Sequence, residues 1–186
     1  MNRRRFLTGA VGVGAVTLGT PWLATAQGAT EDDLAFANFG ASTEFLVRDF
    51  YAKGIEAKLV SGQKAAALKR GRDAAGQHAK ALSDLLTNAG DVAPLPEDFE
   101  FAWPANTFKS EKAMLDTGRA VLRALLGVYQ TAAATASEQP YRVLYASLAA
   151  SVSQQIVALA GVSAAEPFPT AMDIEAASDA LEAYLG

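Results

Sequence analysis

The 186-residue sequence contains no cysteine, which removes disulfides, thiolate metal sites, cysteine nucleophiles and a lipobox together. Histidine occurs once, as His78, so all imidazole chemistry has a single candidate. A Ser-His-Asp arrangement would have to use that residue, and no Gly-x-Ser-x-Gly elbow is present to display a serine. β-Branched runs are scarce and alanine is abundant, which favours helix over sheet. The apolar run from Gly9 to Leu23 is rich in glycine and about 15 residues long, short of the roughly 20 that a membrane-spanning helix needs.

That run belongs to a three-part N-terminal segment. Met1-Asn2-Arg3-Arg4-Arg5 is a basic head, Gly9 to Leu23 an apolar middle, and Ala24-Thr25-Ala26 a small-residue exit. The paired arginines followed at once by Phe6-Leu7 resemble a twin-arginine export signal. The expected organisation is a signal peptide over residues 1–26, cut after Ala26, and one helical domain over 27–186. The resemblance implies an exported protein of the periplasm or cell envelope that crosses the membrane folded and keeps no stable membrane span after cleavage.

Without the signal, 13 cationic residues face 20 carboxylates, a net charge of −7. Such a surface argues against nucleic acid or anionic lipid as a partner. Lys64, Lys69, Arg70 and Arg72 form a short basic patch, which reads as a solvated helix face. Partners are otherwise unspecified, and a homo-oligomer is left open.

Periodicity near 3.6 residues marks four long helices. The first is expected over Glu31 to Val60, with acidic residues in its first turn, apolar positions Leu34, Ala37, Ala41, Phe45, Ala52, Ile55 and Leu59, and Ser61-Gly62 closing it. The second spans about Gln63 to Ala89, with Gly90 as its C-terminal glycine and Gly71 and Gly76 inside it, suited to a close helix approach or a bend. The third spans about Ser110 to Ala136 and the fourth about Pro140 to Ala160. After Pro167-Phe168-Pro169, Thr170 is expected to cap a short last helix. Between the second and third helices, Asp91 to Lys109 carries Pro94, Pro96 and Pro104 with Phe99, Phe101, Trp103 and Phe108, and reads as an ordered crossing loop whose rings bury on the bundle. The fold class is all-α: two helices, a long crossing, two more helices and a short C-terminal helix, the connectivity of a ferritin-like four-helix bundle.

Further landmarks carry a family resemblance. Glu44 precedes Phe50-Tyr51 on the first helix, His78 precedes Leu82 and Gly90 on the second, and Asp116-Thr117-Gly118 lies on the third. In this order, with the Pro/Phe-rich crossing, they are similar to bacterial exported ferritin-like domain proteins close to the desiccation-related group. In metal-binding relatives two helices give one Glu each and two give a Glu-x-x-His pair, three residues apart so that both ligands leave one helix face. Carried over, Glu44 fits the first carboxylate and His78 the histidine, but Ala75 stands three residues before His78. Leu115 occupies the expected third-helix Glu, and the fourth helix offers Val152 and Gln155, or one residue on, Ser153 and Ile156.

One carboxylate and one imidazole do not offset the charge of two metal ions. The resemblance therefore implies the fold with a degenerate centre, Glu44 and His78 being a remnant metal pair held as a mutually satisfying polar contact. Gln77, Gln154 and Gln155 are candidates to extend it, and Asp116 to be a displaced ligand. The expectation is a non-catalytic envelope protein in structural, binding or stress-related work, without a cofactor. Its rival is a metal-dependent oxidoreductase or storage protein that holds iron or manganese on an atypical ligand set. A small-molecule binder using the space of a lost metal site is the third reading.

Overall fold

A computed structural model describes residues 28–160 and 170–186. Among these are five α-helices: α1 (Glu31–Ala57), α2 (Gly62–Asn88), α3 (Glu111–Thr135), α4 (Gln139–Ala160) and the short α5 (Ile174–Leu181). Single 3-10 turns occur at Pro96–Asp98 and Glu182–Tyr184. The fold is the expected all-α bundle with a long crossing and a short C-terminal helix. The signal residues Arg3, Arg4, Arg5, Phe6 and Leu7, the cleavage position and the Pro167–Pro169 break lie outside the described residues.

α1 begins where three groups satisfy one another. Thr30 caps it, and Asp33 accepts from the Thr30 backbone N–H at 2.9 Å and from its hydroxyl at 2.8 Å. The helix stops earlier than expected, because Lys58 turns into the left-handed region at φ 52°. Ser61-Gly62 opens α2 instead of closing α1, Ser61 being the N-cap position and Gly62 supplying a left-handed turn at φ 57°. At the other end, Gly90 at φ 82° follows α2 as predicted. Ser110 caps α3 through Ala113 N–H at 3.2 Å. For α5 the cap is Asp173, accepting from Ala176 N–H at 2.8 Å; Thr170 lies too far upstream.

α1 packs on α2, α3 on α4, and the two hairpins meet through α1–α3 and α2–α4 contacts. Lys64, at the start of α2, pairs with Glu111, at the start of α3, so these two helices run in the same direction. The connection between them must therefore travel back along the bundle, roughly the 40 Å length of a 27-residue helix. Ser137, just past α3, bonds Asp33 at the start of α1, which makes α1 and α3 antiparallel.

Two glycines set the closest contacts. A Cβ on Gly71 would lie 2.3 Å from the Tyr51 ring, and one on Gly118 would lie 2.4 Å from Phe50. Gly76, by contrast, faces open space. The α1 stripe read from the sequence is displaced. Ala37 and Ala41 are fully buried, but Leu34, Phe45, Ala52 and Ile55 are half-buried, while Phe39, Leu46, Val47, Phe50 and Tyr51 fill the core. α1 is surrounded on most sides, so its burial does not follow one face.

The crossing loop packs on the core as expected, but Phe99, Phe101, Trp103 and Phe108 are half-buried, not enclosed. The Trp103 ring sits 5.5 Å from Phe50 and donates from Nε1 to Asp49 Oδ2 at 2.6 Å. The loop's outer edge pairs with the C-terminal segment. Phe101 and Leu185 form an antiparallel bridge, Ala102 N–H donates to Tyr184 at 2.9 Å and Gly186 N–H to Glu100 at 3.0 Å.

Candidate functional site

All four long helices send polar side chains towards the bundle interior. Glu44 on α1 is fully buried, and its Oε1 receives two groups: His78 Nδ1 of α2 at 2.9 Å and the Tyr129 hydroxyl of α3 at 3.0 Å. On α4, Gln155 is buried and its Oε1 accepts from the Tyr51 hydroxyl at 2.9 Å. Glu44 Oε2, Gln155 Nε2 and Thr43 Oγ1 are buried without a hydrogen-bond partner among the described residues.

Burial pushes the Glu44 carboxyl above its usual range; the His78 hydrogen bond and charge and the Tyr129 hydroxyl pull the other way without cancelling it. Burial also raises the Tyr51 and Tyr129 hydroxyls, and the nearby Glu44 charge adds to both shifts. Tyr51, Gln155, Glu44, His78 and Tyr129 thus belong to one polar interior in a shell of leucine, phenylalanine and alanine. Low dielectric makes each bond there stronger and each missing partner more costly.

The sequence-predicted residues divide cleanly. Glu44 and His78 meet as expected. Gln155 joins the interior, whereas Gln77 and Gln154 are exposed. Of the two α4 registers, the one with Val152 and Gln155 faces inward, and Ser153 and Ile156 are half-buried. Asp116 is at the surface, bonded to Lys112 and Arg119, each at 2.6 Å, which hold its carboxyl low against a minor opposing effect of burial. Leu115 stands beside it, half-buried at the end of the bundle, so it is not level with Glu44. Counting along the antiparallel helices from the Phe50–Gly118 contact puts Leu122 and Leu125 at that level, both buried. The α3 group that does reach Glu44 is Tyr129, which sequence reasoning missed; a helical side chain leans towards the N-terminus, and a phenol is long enough to use that lean.

Asp33 was legible only as a first-turn acid. In the fold it is a buried hub: Ser137 N–H donates to Oδ1 at 3.0 Å, the Ser137 hydroxyl donates to Oδ2, and the Tyr145 hydroxyl donates to the Asp33 carbonyl at 2.9 Å. Burial works to raise its carboxyl, but the bonds from Ser137 and Thr30 together outweigh it and hold the group below its usual range.

Two antiparallel helical hairpins joined by a crossing that returns the length of the bundle, with a polar cluster between all four helices, define a ferritin-like architecture. Residues 32–164 match the ferritin-like domain family, and the chain belongs to that family. No curated protein and no solved structure matches the chain.

The fold family implies a dinuclear metal centre, and the donors present do not fit one. Glu44 is the only carboxylate in the interior cluster, Ala75 and Val152 are fully buried where ligands would project, and Leu122 and Leu125 occupy the α3 level. Among the described residues no three His, Cys, Asp or Glu side chains gather into a metal-binding group. Nor is any described helix long and apolar enough to cross a membrane.

Proposed function

We propose that this ferritin-like bundle is a non-catalytic protein of the bacterial cell envelope, exported through the twin-arginine route, related to the desiccation-associated exported group, and used in structural, binding or stress-related work. One observation carries the non-catalytic reading. Glu44, the one carboxylate of the interior cluster among the described residues, has its Oε1 engaged by His78 and Tyr129, and no second carboxylate stands beside it to help offset the charge of two metal ions. Ala75, Leu122, Leu125 and Val152 are apolar and buried around it, and the inward α4 group is the neutral amide of Gln155.

Metal analysis of protein purified from its own exported compartment tests this. The expected outcome is iron and manganese well below one equivalent per chain. Stoichiometric metal that disappears in Glu44→Ala would establish the rival, a metal-dependent oxidoreductase or storage protein, to which the free Glu44 Oε2 lends its one supporting feature. Export is tested separately. Replacing Arg3 and Arg4 with Lys should leave precursor inside the cell, and unchanged passage through that route would refute the assignment.

A further inference from the structure

The basic patch seen in the sequence takes on a shape in the fold. Where α2 and α3 begin and α4 ends, a groove of about 540 Å³ opens at the end of the bundle, a size typical of small-molecule sites. Its lining cations are Lys64 and Arg70 from α2 and Lys112 and Arg119 from α3, over an apolar floor of Ala67, Leu115 and Leu159. Lys64 is paired with Glu111, and the single carboxylate of Asp116 is shared by Lys112 and Arg119. Arg70 has no ion-pair partner among the described residues. Among the described residues the groove therefore keeps two positive charges in excess, in a chain whose net charge is negative.

The helix ends add to this field. Two helix N-termini, those of α2 and α3, meet one C-terminus, that of α4. α2 has no acidic residue in its first turn, and Ser61 makes no side-chain cap bond, so its positive end is not neutralised locally.

We propose that this groove binds a phosphate monoester carrying a short apolar group. Such an ester has a charge near −2 at neutral pH, which matches the excess of two, and three oxygens that the planar forks of Arg70 and Arg119 engage. The apolar group lies on Leu115, the half-exposed apolar residue of the lining, next to the buried Ala67 and Leu159, a contact that an inorganic anion cannot make. The same chemistry is found in a free phosphorylated metabolite and in the headgroup of phosphatidic acid. The site is separate from the Glu44 cluster and stands or falls independently of the metal question.

The test titrates the purified protein with butyl phosphate, with inorganic phosphate and, in a parallel arm, with vesicles of phosphatidylcholine with and without phosphatidic acid. Saturable binding of butyl phosphate, tighter than that of inorganic phosphate, is expected. Arg70→Gln should weaken it by about tenfold, the loss of one charge-assisted contact, while Lys69→Gln, a neighbouring cation outside the groove, should leave it within about twofold. Binding confined to phosphatidic acid vesicles, with the same Arg70 dependence, would assign the headgroup as the source. No binding in either arm, or equal weakening by the two variants, would overturn the proposal. Both side chains are exposed, and helical content measured on each variant shows that the fold is retained.

Discussion

A carboxyl group enclosed by hydrocarbon is stable in its neutral form, and Glu44 shows which way this acts on the whole fold. Its folded pKa lies above the usual 4.5, so the folded state holds a proton that the unfolded state gives up. The stability tied to that proton is complete below the usual value and is lost as pH rises towards and through the folded pKa. Glu44→Gln cannot ionise, so denaturant unfolding should show the variant gaining on the wild type as pH rises from 4 to 8; a constant difference would mean that Glu44 titrates as in the unfolded chain. His78→Ala, which leaves a void and strips one donor from Oε1, should cost about 2–4 kcal/mol at neutral pH. Asp33 has the opposite sign: its carboxyl is held low, so its contribution is present above its unfolded pKa and is lost as acid protonates it through the folded one. An acid unfolding transition should therefore move to higher pH in Ser137→Ala, which removes the hydroxyl that donates to Oδ2.

At the scale of the helices, a pair of glycines five residues apart on α2 separates packing from propensity. Gly71→Ala must push the Tyr51 ring aside and should destabilise by about 1–3 kcal/mol. Gly76→Ala meets nothing within 4 Å and should stabilise by up to about 1 kcal/mol. Equal effects in thermal melts would show that α2 does not rest on α1 as described. The same elements mark what can be read in advance. Helix existence, the Gly90 stop and the Ser110 cap follow from local chemistry, and all were legible. Glu44 and His78 were legible because they match landmarks of the family resemblance, Glu44 ahead of Phe50-Tyr51 and His78, the one histidine in the sequence, ahead of Leu82 and Gly90. Tyr129 was not, nor was the true position of Leu115, because periodicity fixes the angle of a residue around its helix and says nothing about the axial stagger between neighbouring helices. Asp33 with Ser137 was hidden for a related reason: their bond joins residues 33 and 137 and has no local signature.

For the molecule as a whole, the core is made of apolar contacts among four helices, and the polar cluster satisfies most of its own atoms. Chelator treatment should leave the thermal midpoint in place, and loss of helical signal would show that metal binding contributes to folding. The pairing between the crossing loop and the C-terminal segment has a consequence for synthesis. Phe101 and Leu185 are separated by 84 residues, so a chain emerging from the ribosome has its loop long before the segment that completes the loop's outer edge. At about 5–20 residues per second the interval is roughly 4–17 s, during which Glu100, Phe101 and Ala102 present unpaired backbone and half-covered rings to whatever chaperone is near.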